Sequence, residues 1–260
     1  MKIDFYKYQG TGNDFVMIDN RNMDFPKANT ALIAKLCDRR FGVGADGLIL
    51  LENDEATDFR MLYFNADGNE GSMCGNGGRS IVAFAAYLRI IEAKTTFIAV
   101  DGLHEATISK ETIRLKMKDV AELHAKPNAT FLNTGSPHHV QLVADLENFN
   151  VAKEGRKLRY GLYGKEGSNI NFAEEKGSGQ FAIRTYERGV EDETLSCGTG
   201  VTALALAMAS LGKIADNKVS VQAKGGILEV TFEKEGTGFK NIFLSGKAEQ
   251  VFNGVFIWSH

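Results

Sequence analysis

The sequence predicts an α/β (α+β) protein of two pseudo-symmetric domains, each a mixed, mostly antiparallel sheet wrapped around a central helix. Three observations predict it: a length of 260 residues, a majority of short segments alternating apolar and polar, and one helix start that occurs twice. A domain runs to roughly 100–200 residues, so this length suits two modest cores. The segment beginning Cys74-Gly-Asn-Gly77 and ending at Leu88 aligns without gaps on the one from Cys197-Gly-Thr-Gly200 to Leu211, an offset of 123 residues (197 − 74). The cysteine, both motif glycines, an alanine and the last leucine coincide, which reads as a duplication.

The elements follow in order. Strand alternation marks Lys2–Tyr8 and Phe15–Asp19, after which Ala31, Ile33, Ala34, Leu36 and Cys37 put an apolar stripe on a helix over Thr30–Arg40. Strands at Leu48–Glu52 and Phe59–Asn65 lead to a helix over Gly78–Ile90 that is apolar on almost every side, as expected for a helix enclosed by sheet. Phe97–Val100, Glu105–Ser109 and Thr112–Met117 complete the first half, and the charged stretch Lys118–Pro127 reads as the join. The second half repeats the scheme: strands at His138–Leu142, Ile170–Ala173 and Phe181–Glu187, an apolar helix over Gly200–Leu211, then strands at Lys218–Ala223, Gly226–Phe232, Asn241–Ser245 and Ala248–Phe252. The expected domains are 1–119 with 250–260 returning to it, and 120–249.

Composition narrows the function. Thirty Lys and Arg against 33 Asp and Glu leave a net charge of −3, which argues against a nucleic-acid or other polyanion binder. The N-terminal MKIDFYKYQGTGND has no apolar run, and the most apolar stretches, Ile81–Leu88 and Val201–Leu211, fall short of the roughly 20 residues that span a bilayer. The expectation is a cytoplasmic protein with no membrane partner. Three cysteines, at 37, 74 and 197, are too few and too odd in number for a disulfide scaffold and suit a reducing compartment.

Cys37 lies in an apolar helix stripe with no glycine beside it and reads as core. Cys74 and Cys197 differ, because a helix N-terminus stabilises an anion through its free N–H groups and can lower a thiol's pKa. The flanking glycines let a ligand approach the backbone, so the N–H groups of Gly75, Asn76, Gly198 and Thr199 are candidates to cradle a carboxylate. One such thiol in each half suits inversion at carbon, in which one sulfur removes a proton and the other delivers one to the opposite face. A disulfide between them is the bland alternative; a zinc site would need further ligands, and neither cysteine has a Cys or His within four residues. Gly42-Val-Gly-Ala-Asp-Gly47 follows a helix and precedes a strand, the reverse of a dinucleotide-binding order. Asp67-Gly-Asn-Glu-Gly71 lacks the glycine and glutamate of a calcium loop, and no lysine stands in an evident Schiff-base motif. No metal and no cofactor are therefore expected. Of His138 and His139, neighbours on a strand, one is expected near a site and the other at solvent. Asn171 and Asp14 read as structural.

The motifs jointly resemble the diaminopimelate epimerase family. They are Gly10-Thr-Gly-Asn-Asp-Phe15, Arg39-Arg-Phe-Gly-Val-Gly-Ala-Asp46, Phe64-Asn-Ala-Asp-Gly68, Cys74-Gly-Asn-Gly77, Tyr186-Glu-Arg-Gly189, Glu193-Thr194 and Cys197-Gly-Thr-Gly200, in the family's order. The resemblance implies epimerisation of LL- to meso-diaminopimelate in lysine and peptidoglycan precursor biosynthesis, without pyridoxal phosphate and with the site between the domains. It implies that Cys74 and Cys197 are the acid/base pair and that Asn13, Asn65, Asn169, Gly75, Asn76, Gly198, Thr199, Glu187 and Arg188 contact substrate. His138 and Glu187 are implied to tune the thiols. A substrate with two ammonium and two carboxylate groups suits a carboxylate, a guanidinium and neutral amides. A homodimer is implied too, with Phe252 at its interface. Two departures, Gly47 where the family commonly has Gln and Ser136 where it has Asn, keep a racemase of another amino acid in view. A silent ligand-binding relative is the alternative from a different class.

Overall fold

The computed structural model describes residues 1–259. Met1–Leu115 with Lys247–His260 form one compact unit and Lys116–Gly246 the other; residue 260, part of the expected C-terminal return, lies outside the described residues.

In the first unit the strands run, across the sheet, Lys2–Gly10, Asn13–Asp19, Gly47–Glu52, Phe59–Asn65, Lys94–Ala99, Gly102–Ser109 and Thr112–Lys116. Successive neighbours pair antiparallel, parallel, antiparallel, parallel, antiparallel, antiparallel. Glu249–Ile257 adds to the outer side of Lys2–Gly10, antiparallel. The helices α1 (Thr30–Cys37) and α2 (Gly75–Tyr87) follow the second and fourth strands of the run, because a parallel neighbour needs a crossover that a tight turn cannot supply.

The second unit repeats this grammar. Ala129–Asn133, Pro137–Leu142, Asn169–Gly177, Gln180–Glu187, Lys218–Ala223, Gly226–Glu235 and Gly238–Lys247 pair in the same order of antiparallel and parallel steps. His124–Lys126 adds outside Ala129–Asn133, and Asp192–Thr194 flanks Gln180–Glu187. Here α3 (Val151–Gly161) and α4 (Gly198–Ser210) follow the second and fourth strands. The duplication visible in one helix start thus extends to the pairing of the whole sheet.

Three helices stand where expected, with shifted ends. α1 stops at Cys37 rather than Arg40: Asp38 turns to φ −64°, ψ 122°, and its carboxylate takes the N–H groups of Arg40 and Phe41, both at 2.7 Å. α2 and α4 begin at Gly75 and Gly198, earlier than the apolar run, so the motif glycines lie inside the first turn. The helix α3 was not expected. Its buried residues are Val151, Gly155 and Arg159, one to a turn, so the inward stripe sets a single apolar side chain beside a glycine and a cation and shows no apolar periodicity. Asn150 caps it by accepting from the Lys153 N–H, and Arg159 pairs with Glu191 at 3.0 Å.

Packing explains the rest of the helices. The core of the first unit gathers Leu32, Ile33, Leu36 and Cys37 of α1 against Val16, Ile18, Leu48 and Leu50. Burial holds the Cys37 thiol far up, at about 12, so it stays protonated and inert. Every residue of α4 from Val201 to Ala209 is buried, and α2 is buried from Gly75 to Val82. No helix among the described residues is long and apolar enough to cross a membrane.

Gly155 decides how closely α3 sits on its sheet. A Cβ there would lie 2.4 Å from Cβ of Tyr186, an atom fixed to its own backbone. Alanine would gain up to about 1 kcal/mol of helix propensity, and the overpacking costs about 1–3 kcal/mol, so the clash wins. Gly155→Ala is expected to lower the urea midpoint of unfolding; an unchanged or higher midpoint would show that α3 can lift off the sheet without loss.

Candidate active site

In the first unit the helix α2 opens on Cys74. Its sulfur accepts from the Gly77 N–H at 3.2 Å and thereby caps the helix, with backbone φ −119°, ψ 151°. Asn13, at the start of its strand, comes to the same place: Oδ1 lies 3.8 Å from the Cys74 sulfur and 3.2 Å from Nδ2 of Asn76. The Asn13 amide nitrogen donates to Asp46 at 2.6 Å, so its oxygen is the atom turned to the thiol. Asp46 and Asp14 share the Arg39 guanidinium, and Asp14 also meets Lys7 at 2.7 Å. Burial resists the charge on Asp14, but Arg39 and Lys7 outweigh it and hold the carboxyl at about 2.

Behind α2's first turn stands a cation that the sequence reading passed over. Arg79 is fully buried, donates to Asn76 Oδ1 at 2.9 Å, to Thr11 Oγ1 at 3.0 Å and to the Gly75 carbonyl at 3.2 Å, and has no carboxylate partner among the described ion pairs. Burial pushes its pKa down to about 10; the charge of the Cys74 sulfur favours its protonated form. The lone charge in an otherwise apolar helix was the signal. Asn65 is exposed, and its carbonyl takes the Gly68 N–H in a turn.

In the second unit α4 opens on Cys197, which lacks a side-chain cap bond and is buried. Its sulfur lies 3.4 Å from the Thr199 hydroxyl, which meets His138 Nε2 at 2.9 Å. Thr134 holds the helix start by donating to the Thr199 carbonyl at 2.9 Å. Asn169 donates to Ser136 Oγ at 3.0 Å and accepts from the Arg188 N–H at 2.8 Å, while the Arg188 side chain reaches the Glu166 carbonyl and Ser136. Glu187, the last residue of the strand before Arg188, accepts from Thr194 at 2.9 Å. Cys197, Thr199 and His138 therefore form one line, and Ser136, Asn169 and Arg188 a second group beside it, with Asn169 Nδ2 3.5 Å from His138 Nε2.

Burial dominates His138 and drives its pKa down to about 3, with Arg188 acting the same way and the Asn171 hydrogen bond opposing, so the imidazole is neutral. His139 was expected at solvent and is instead buried: its face of the sheet is covered, and Nδ1 meets the Tyr163 hydroxyl at 2.8 Å. The Gly42–Gly47 run does connect α1 to a strand, in the order that excludes a dinucleotide loop. At Gly47 a Cβ would fall 2.5 Å from both the Phe64 carbonyl and the Tyr63 ring, so the neighbouring tyrosine fills the space a longer side chain would need.

The fold is a known class. A PhzF-family phenazine biosynthesis protein from Bacillus anthracis superposes with a TM-score of 0.74 at 16% identity, over 99% of this chain and all of that one. A hydroxyproline epimerase from Agrobacterium vitis gives 0.72 at 14%, over 98% and 92%. Sequence then narrows the class. The profile of the diaminopimelate epimerase family matches residues 5–122 and 130–251, and the chain belongs to that family. It is 64% identical over 249 residues to the diaminopimelate epimerase of Flavobacterium psychrophilum, covering 95% of this chain and 97% of that one. Against the enzyme of Chlorobaculum tepidum it is 42% identical, over 94% and 98%.

A neutral buried histidine ties stability to pH. The unfolded chain binds a proton at His138 below its ordinary value of 6.5, whereas the folded chain refuses it down to about 3. Stability is then full above 6.5 and falls progressively as pH drops towards 3, with His139, also lowered by burial, adding in the same direction. Chemical denaturation at a series of pH values is expected to show that slope and a shallower one in His138→Gln; equal slopes would place the acid sensitivity elsewhere.

Proposed function

We propose that the chain interconverts LL- and meso-diaminopimelate by exchanging a proton at one α-carbon between the sulfurs of Cys74 and Cys197. One thiolate takes the α-proton, and the other thiol delivers its proton to the opposite face, so the configuration inverts and the resting charges of the two sulfurs exchange. One observation carries the reading: a cysteine immediately precedes a buried helix in each of two units built to one plan. Two such thiols supply both the base and the acid from the chain itself, so the step draws on no metal, nucleotide or pyridoxal phosphate.

The remaining groups have chemistry to match. Negative charge developing at the α-carbon spreads into the adjacent carboxylate, and N–H groups at the helix starts, Gly75-Asn76 and Gly198-Thr199, are suited to hold it. Asn13, Asn65 and Asn169 offer neutral amides, Arg188 a guanidinium for a carboxylate and Glu187 a carboxylate for an ammonium group. His138 acts on Cys197 through Thr199.

Two finer readings go with this one. The strand Glu249–Ile257 pairs on one side with Lys2–Gly10 and exposes Val251, Phe252, Val255 and Ile257, which suits the interface of a homodimer. A reducing cytoplasm suits a mechanism that needs both thiols free.

Solvent deuterium entering the α-position, followed by proton NMR, tests the chemistry. Diaminopimelate is expected to exchange, with Cys74→Ala and Cys197→Ala each slowing turnover by about 10²–10⁴-fold or more. Exchange with another amino acid and none with diaminopimelate would sink the substrate assignment; full exchange in either variant would sink the two-thiol mechanism. Phe252→Glu is expected to convert dimer to monomer in light scattering, and a monomeric wild-type chain would remove the dimer.

A further inference from the structure

Three neighbouring strands of the second unit extend the polar line behind His138 through Asn171 and Thr185, two residues that neither the family motifs nor the mechanism above uses. Asn169–Gly177 runs parallel to Pro137–Leu142, with His138 opposite Asn169, and antiparallel to Gln180–Glu187, with Asn171 opposite Thr185. This register puts His138, Asn171 and Thr185 on one face, beneath the start of α4. All three are buried, Asn171 and His138 completely.

The hydrogen bonds fix the direction of every proton in the line. The His139 carbonyl can only accept, so the Asn171 atom 2.9 Å from it is the amide nitrogen. The second hydrogen of that nitrogen points at His138 Nδ1, 3.1 Å away, while the amide oxygen takes the Thr185 hydroxyl at 3.0 Å. Nδ1 therefore carries the lone pair, and in a neutral imidazole the proton sits on Nε2, which donates to Thr199 Oγ1 at 2.9 Å. The Thr199 oxygen is then an acceptor from His138, leaving its own hydrogen to donate to the Cys197 sulfur at 3.4 Å. The amide of Asn169, 3.5 Å from Nε2, has Ser136 Oγ and the Pro137 carbonyl as its nearer acceptors and does not compete. Gly200 completes the arrangement, since a Cβ there would lie 2.4 Å from Asn171 Oδ1.

We infer that Asn171, locked by Thr185 and the His139 carbonyl, is a positioning residue that holds His138 as the Nε2–H tautomer, so that Thr199 presents its hydroxyl proton to Cys197. The inference rests on the two-thiol reading for its effect on turnover and on geometry alone for the tautomer. A hydroxyl aimed at the sulfur and polarised from behind stabilises the thiolate form of Cys197 whenever the reaction makes it. No bond is made or broken in the line itself; the groups differ only in which atom carries the hydrogen.

The tests separate the two layers. Two-bond nitrogen-15 to proton correlation on the intact protein is expected to show the His138 ring protonated at Nε2. In Asn171→Asp the carboxylate has no hydrogen for Nδ1, so the proton is expected to move to Nδ1 or to occupy both nitrogens. Thr185→Val removes the hydroxyl at constant shape, and Thr185→Ser restores it. For Asn171→Asp and Thr185→Val, kcat is expected to fall on the order of tenfold, below the 10²–10⁴ of direct proton transfer, with KM nearly unchanged and with slower alkylation of Cys197 but not of Cys74, read by peptide mass spectrometry. Thr185→Ser should recover both. If Asn171→Asp does not fold, Thr185→Val carries the test. A wild-type ring protonated at Nδ1, or Thr185→Val with wild-type kcat and wild-type Cys197 alkylation, overturns the inference. Should the wild-type protein exchange no α-proton of diaminopimelate, the functional reading fails, while the tautomer and the Cys197 alkylation rate still decide the line.

Discussion

Each unit depends on a helix that is buried from its first residue. The first four N–H groups of any helix lack partners within it, and at a surface water supplies them. At α2 and α4 the first turn is enclosed, so the protein must provide acceptors or leave the start ready for an anion. At α2 the Cys74 sulfur answers part of this need by accepting from the Gly77 N–H, and the same field that makes that sulfur a useful cap makes its thiolate easier to form. The glycines belong to the same constraint: at Gly10 a Cβ would be 3.2 Å from the Asn76 carbonyl, and at Gly200 it would collide with Asn171.

The two units, alike in strand pairing, surround their sulfurs differently. Beside Cys74 stands Arg79, a guanidinium out of water that holds Asn76 and through it Asn13. A buried cation without a carboxylate is costly, and it makes this helix start more positive than its dipole alone would. The line that reaches the Cys197 sulfur is made of neutral groups: an imidazole kept uncharged by burial, and a chain of hydroxyl and amide groups with every hydrogen assigned. A duplicated scaffold has thus placed one thiol beside a buried cation and the other at the end of a polarisable line of neutral groups. The proposed proton exchange, in which the two sulfurs alternate between charged and uncharged forms, has use for both settings.

The fold was legible where the signal was local. Alternating strands, the apolar helices α2 and α4 and the repeated Cys-Gly-x-Gly all announce themselves within a few residues. α3 did not, because its inward positions are Val151, Gly155 and Arg159, and their fitness comes from Tyr186 and Glu191 elsewhere in the chain. The end of α1 was overrun for a similar reason: Asp38 prefers the N–H groups of Arg40 and Phe41 to another helical turn. His139 looked like a surface residue because alternation sends neighbours to opposite faces, yet both faces of that strand are covered.

The sequence by itself determined the two cysteines at helix starts, the buried third one, the duplication and the family, since each rests on residue types at short, fixed spacing. Only the tertiary structure decided which polar groups serve each sulfur. Arg79, Asn171 and Thr185 lie outside the motifs that mark the site, and Asn171 had read as structural. Their roles come from sheet register and helix burial, which join residues far apart in the chain into one hydrogen-bonded line. On the inference drawn above, the proton's position on His138 depends on an amide of the neighbouring strand, and no spacing rule in the sequence records that contact.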